Sequence, residues 1–138
     1  MKKIYLSILT ILILLTLSCT KDNDILTPYS NTPVVAHTQN AFAYTLVAQN
    51  YSATANYNVN FTSDSLAYSL VISGYSSGNG LLRVGKLISS SYIYLEQLNT
   101  NKVVAFTDTN SQAPEYIHFE FYNFSGTISF SLAKSNGN

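Results

Sequence analysis

Two histidines, one cysteine and seven acidic residues carry most of the reactive chemistry of this 138-residue chain. Beyond residue 24 the carboxylates are Asp64, Glu96, Asp108, Glu115 and Glu120. A serine-type hydrolase needs a Ser presented to a His that a carboxylate orients. His37 and His118 lie far apart in sequence, and the serines are too many for one to be singled out. A glycosidase needs two carboxyl groups about 5–9.5 Å apart, a separation that sequence spacing does not define. Zinc needs closely spaced Cys and His ligands; a single Cys and two distant His residues do not supply them. The run Asp108-Thr109-Asn110-Ser111-Gln112, with Glu115 behind it, puts oxygen ligands on alternate residues. It lacks the turn glycine and the carboxylate density of a calcium loop. These residues therefore define no catalytic group and no metal site, and no cofactor is called for. The chain reads as a non-enzyme.

Tyrosine is the residue type that stands out, with 11 Tyr and 7 Phe against no Trp. Tyr92 and Tyr94 are two apart, as are Tyr116, His118, Glu120 and Tyr122. On strands, residues two apart share a face. Tyr92, Tyr94, Tyr116, His118 and Tyr122 are accordingly the candidate binding surface. Phenol rings could stack on sugars or contact a protein with little loss of side-chain entropy. The competing reading is structural, because tyrosine favours strands and aromatic cross-strand pairs stabilise sheets.

The cysteine belongs to a different argument. Lys2 and Lys3 precede a 14-residue, largely apolar run from Ile4 to Leu17. That is short of the roughly 20 residues a spanning helix needs and within the length of a secretory h-region. The run ends in Leu15-Thr16-Leu17-Ser18-Cys19, which resembles the lipobox of bacterial lipoproteins, with Thr16 where Leu is usual. The resemblance implies cleavage before Cys19 and lipidation of its sulfur. Two or more acyl chains, at about 0.8 kcal/mol per buried methylene, hold a protein on a membrane it does not span. Thr20-Lys21-Asp22-Asn23-Asp24 resembles the acidic export signals of surface lipoproteins of the Bacteroidota. Asp64-Ser65-Leu66 resembles an O-glycosylation site of the same group, which would place a glycan on Ser65; an Asp-Ser turn before a strand is the simpler reading.

The elements that must position these residues are strands. Residues 1–18 read as signal peptide, with its helix, and 19–38 as the lipidated cysteine and a flexible polar tether. Residues 39–138 read as one β domain, with Val34-Val35 a possible extra short strand. In the tether, Pro28 and Pro33 favour extended chain. Ala53, Ala55, Tyr57, Val59 and Phe61 alternate with Thr54, Asn56, Asn58, Asn60 and Thr62, a period of two over a full strand. Similar alternation marks residues 42–48, 66–72, 81–87, 91–98, 102–108, 117–122 and 128–132. Gly74–Gly80 reads as a loop between strands, and it leads into a strand rather than the helix a phosphate loop requires. Asn123–Gly126 reads as the turn of a C-terminal hairpin. The expectation is all-β: an antiparallel β-sandwich or jelly roll of about eight strands.

Charge narrows the partners. Seven basic and seven acidic residues become five and seven once Lys2 and Lys3 leave with the leader, a net of −2. With no basic cluster, nucleic acid is excluded as a partner. What remains is a membrane reached through the lipid anchor, and a glycan or an envelope protein as ligand. The expected location is the cell envelope, on the outer membrane. Three functions stay open: a non-catalytic binding module, a structural or accessory subunit of an envelope complex, and, behind both, a small hydrolase.

Overall fold

The computed structural model describes residues 31–62, 65–86, 92–109 and 112–135. The leader, Cys19 and the tether up to residue 30 lie outside the described residues. Among the described residues six strands follow one another: β1 (Val34–His37), β2 (Ala41–Asn58), β3 (Leu66–Gly85), β4 (Tyr92–Gln97), β5 (Lys102–Asp108) and β6 (Tyr116–Lys134). All pairings are antiparallel, in the order β1-β2-β6-β3-β4, with β5 also on β3.

Three of these strands are 18 to 20 residues long, several times an ordinary strand, and each changes layer midway. The first halves of β2 and β3 and the second half of β6 join β1 and β5 in a five-stranded layer. Their other halves join β4 in a four-stranded layer. Strands that switch sheets at bends are one way to build a sandwich from one sheet. The eight segments read from alternation are the six straight halves together with β4 and β5. The short β1, drawn from Val34-Val35, makes the ninth, so the sheet takes up the last residues of the stretch expected as tether.

The bend runs across all three strands at one level. Asn50 on β2 (φ 51°), Gly78 on β3 (φ 79°) and Asn123 on β6 (φ 48°) have left-handed backbone, which Asn and Gly tolerate best. Register shifts bracket the same points, and the backbone groups that the ladder releases find side chains. The Asn50 N–H donates to Ser125 Oγ (2.9 Å), the Asn123 N–H to Ser52 Oγ (2.8 Å), and the Tyr75 N–H to Asn101 Oδ1 (2.8 Å). Gly78 is required for a second reason. A Cβ there would lie 2.1 Å from the Asn123 carbonyl oxygen, so β3 and β6 can cross the bend together only without it.

Two expectations are corrected here. Gly74–Gly80 is not a loop but part of β3, and Asn123–Gly126 is not a hairpin turn but the bend of β6. The halves of β6 pair with β2 and β3, not with each other. One left-handed residue and a bulge turn a strand without reversing it, and a bend and a hairpin share the same residue chemistry.

The core lies between the layers. Phe42, Tyr44 and Leu46, Leu66, Tyr68, Leu70 and Ile72, and Ile128, Phe130 and Leu132 point inward from the five-stranded layer. They meet Leu82, Val84, Ile117, Phe119 and Phe121 of the four-stranded layer. Tyr44 stacks on Phe119 with ring centroids 4.0 Å apart, and Phe42 meets Tyr57 at 5.3 Å. Each large apolar side chain so buried contributes about 1.5–3 kcal/mol, and aromatic pairing adds about 0.5–1.5 kcal/mol per pair.

Candidate functional site

The pleat assigns each expected surface residue to a face. On β6 the inward residues are Ile117, Phe119 and Phe121, so Tyr116, His118, Glu120 and Tyr122 lie on the outer face of the four-stranded layer. Cross-strand register places Asn58, Asn56 and Thr54 beside the first three on one flank. Gly85, Arg83, Leu81 and Asn79 stand beside all four on the other. On β4, Leu95 pairs with Arg83 and Gln97 with Leu81, so both share this face.

Tyr92 and Tyr94 part company. A register shift lies between the Val84–Tyr94 and Gly85–Tyr92 pairs, and it breaks the simple two-residue period. Tyr92 is 48% exposed, with the Arg83 guanidinium over its ring at 5.8 Å. Tyr94 pairs with inward-facing Val84 and packs against Tyr68 (5.3 Å) and Phe106 (5.5 Å). It closes the side of the sandwich where β4 and β5 approach, and its hydroxyl donates to Glu96 (3.2 Å). Burial first, then the neighbouring Glu96 carboxylate, raises its pKa well above the ordinary phenol value. Tyr94 therefore leaves the candidate surface; Tyr92, Tyr116, His118 and Tyr122 share it.

Among these four, two are committed to structure. The ring of Tyr116 lies against Gly85, close enough that a Cβ there would be 2.8 Å from its hydroxyl; the aromatic ring covers a bare stretch of strand. His118 Nδ1 lies 2.6 Å from Asn56 Oδ1. With the proton on Nδ1 the ring donates there, leaving Nε2 buried, without a hydrogen bond, and 3.8 Å from Glu120 Oε2. Tyr122 is different. It is 66% exposed, more than any other aromatic residue among those described.

Tyr122 forms part of an open groove of about 600 Å³ along the outer side of β3. Gly78, Asn79, Gly80 and Leu81 run along it. Tyr122 and Glu120 line it from β6, Gln97 and Asn99 from the end of β4, with Tyr75 and Arg83 completing it. Gly80 lets β3 settle close to Glu120, Phe121 and Leu98, since a Cβ would meet all three within 3.2 Å. Charge in the groove is balanced, because Arg83 Nη2 lies 3.5 Å from Glu120 Oε2. The amides are partly ordered in advance, with Asn99 Nδ2 donating to Gln97 Oε1 (3.1 Å) and the Tyr75 hydroxyl to the Gly78 carbonyl (2.6 Å). Arg83, Asn79, Gln97, Asn99 and Tyr75 were not singled out from sequence. Arg83 alone had a legible signal, lying between inward-facing Leu82 and Val84.

Other sequence signals land elsewhere. Gly74-Tyr75-Ser76-Ser77-Gly78 has the letters of a nucleophile-elbow motif. That motif needs a strand–turn–helix, and here the chain continues as β3. Glu96 is paired with Lys102 (2.7 Å) and Glu120 with Arg83, so both carboxylates carry a counter-ion. Asp108 ends β5, while Asn110 and Ser111 of the same polar run lie outside the described residues. Asp64 also lies outside them. Ser65 does not, and its Oγ is buried.

The fold defines the molecule as an antiparallel β-sandwich. No family model matches the chain, and no curated protein matches it. Among solved structures, three show a loose overall likeness. One is from Bacillus endospore appendages, a family of disulfide-linked pili, at 10% identity and TM-score 0.43, covering 75% of this chain and 91% of that one. The second is a CBM4 carbohydrate-binding module, at 10% identity and TM-score 0.36, covering 76% and 79%. The third is the CBM1 module of BiXyn10A without ligand, at 13% identity and TM-score 0.36, covering 75% and 81%. The overlap is too loose to transfer a ligand or a partner to this chain.

Proposed function

We propose that this protein is a non-catalytic glycan-binding module, held at the cell envelope by a lipid on Cys19. One observation carries the binding reading: Tyr122 stands 66% exposed in a groove otherwise lined by the Asn79, Gln97 and Asn99 amides, the Tyr75 phenol, the Leu81 side chain and the Arg83–Glu120 ion pair. An exposed ring is an apolar face with nothing against it. Sugars present apolar C–H faces bounded by hydroxyls, so they suit a ring flanked by hydrogen-bonding groups. Tyr92, beyond Arg83 on the same face, would extend contact to a second part of a chain-like ligand.

The test is affinity electrophoresis of the purified chain through gels containing soluble polysaccharides. Retardation by at least one polysaccharide, lost in Tyr122→Ala and weakened in Tyr92→Ala, is expected. Equal retardation of wild type and Tyr122→Ala would remove this groove from consideration. The anchor is tested separately. Labelled fatty acid should enter the wild type and not Cys19→Ser, and the variant should leave the membrane fraction.

A second reading rests on the outer edge of β2. Its residues 51–58 pair only with β6 among the described residues. Tyr51-Ser52-Ala53-Thr54-Ala55-Asn56-Tyr57-Asn58 contains neither charge nor proline, the devices that usually keep an edge from pairing. Such an edge suits strand addition in an envelope complex. Crosslinking in native membranes that trapped this edge against a second protein would favour that reading over the first.

A further inference from the structure

Among the described residues the groove contains one cation and one anion, and they face each other. Arg83 Nη2 lies 3.5 Å from Glu120 Oε2, with the two side chains 28% and 52% exposed. The Arg83 guanidinium also sits over the Tyr92 ring, so it is held on two sides. The remaining polar groups are neutral: the Asn79, Gln97 and Asn99 amides and the Tyr75 hydroxyl.

An acidic polysaccharide needs a cation able to face its carboxylates, and arginine is the side chain best shaped for that. Here the only arginine in the groove already faces a carboxylate, and an incoming one would meet Glu120 as a like charge. A neutral chain meets no such penalty. Its hydroxyls can donate to Glu120 and accept from Arg83 while the pair stays in place, and the amides serve as donors and acceptors.

We propose that the groove selects a neutral polysaccharide, and that Glu120 sets this selectivity by occupying Arg83. Glu120 is thus a specificity-determining residue: with its charge removed, the guanidinium is left to an acidic ligand. The proposal rests on the glycan-binding reading above and deepens it.

The test compares wild type, E120Q and the double variant E120Q/R83L, each as the full chain in nonionic detergent. The gels contain xylan, mixed-linkage β-glucan or galactomannan as neutral probes, and polygalacturonate as the acidic one. Matching urea midpoints establish that all three are folded. Wild type should be retarded by a neutral probe and pass polygalacturonate freely. E120Q should gain affinity for polygalacturonate by about tenfold or more, an increment expected of a newly available charge-assisted contact. That gain should vanish at high salt and in E120Q/R83L. Wild type held by polygalacturonate as strongly as by a neutral probe overturns the selectivity and leaves the glycan reading standing. So does E120Q that keeps neutral binding yet stays blind to polygalacturonate. A wild type that no polysaccharide retards overturns the glycan reading, and the selectivity with it.

Discussion

The two outer faces of the sandwich are built on the same pleat and share the same long strands, yet they carry different chemistry. Outside the five-stranded layer lie Val34 and Ala36 of β1, Ala43, Thr45 and Val47 of β2, and Thr127, Ser129, Ser131 and Ala133 of β6. Ala67, Ser69, Val71 and Ser73 of β3 and Val103, Ala105 and Thr107 of β5 complete it. None of these is charged or aromatic. Outside the four-stranded layer stand Arg83, Glu120, His118, Tyr92, Tyr116 and Tyr122 among amides. Both patterns satisfy the alternation a half-buried sheet requires. Small and β-branched residues are what a face carries when strand propensity alone is at stake. A face of large rings, ion pairs and amides around a groove spends side-chain entropy that stability alone does not ask for. The contrast is what favours the second face for the proposed glycan site.

This contrast can be broken at the bend that both faces share. Gly78→Val forces a β-branched side chain onto left-handed backbone and into the Asn123 carbonyl. A loss of about 4 kcal/mol is expected in urea unfolding, with both layers lost in one transition. A loss below about 1 kcal/mol would mean that the layers bend independently of Gly78.

Alkaline pH acts on the core between the faces. Burial raises the pKa values of Tyr44, Tyr57 and Tyr94 above the ordinary value of 10.0. Their protonated forms are favoured in the folded state, so this contribution is whole below the unfolded value near pH 10. It is lost as pH climbs from there through the folded values. Unfolding midpoints should therefore be level up to about pH 10 and fall beyond it, with a shallower fall in Tyr44→Phe and Tyr94→Phe. An unchanged slope in both variants would assign the alkaline loss to other groups.

A smaller effect is expected at the side where the layers close. Lys102 Nζ reaches both Glu96 (2.7 Å) and the Gln97 carbonyl (2.8 Å), with its side chain 21% exposed. Lys102→Ala should cost about 1 kcal/mol, less in high salt. The smallest effects belong to the outer faces, and they sharpen the comparison most. Val103→Thr and Val47→Thr on the plain face should change stability by less than about 0.5 kcal/mol and leave polysaccharide retardation as in wild type. Tyr122→Ala should be as mild in stability yet lose retardation. Equal losses of retardation from the two faces would abolish the distinction between them.

Strand positions and the inward set could be read from the chain. Phe42-Tyr44-Leu46, Leu66-Tyr68-Leu70-Ile72, Ile117-Phe119-Phe121 and Ile128-Phe130-Leu132 alternate without interruption, and all are buried. So could the common face of Tyr116, His118 and Tyr122, because no bulge falls between them and a period of two carries straight across. Tyr94 was misplaced because the register shift beside Tyr92 leaves no mark in residue type.

Local alternation, then, determined the straight strand segments and which side of each is dry, since the pleat turns sequence parity directly into direction. It could not decide whether Gly74–Gly80 and Asn123–Gly126 end strands or bend them. Left-handed backbone serves either purpose, and only pairing with distant strands selects one. The groove is likewise a tertiary product. Tyr122, Arg83 and Gln97 come from β6, β3 and β4, and their neighbourhood exists only once those strands are in register.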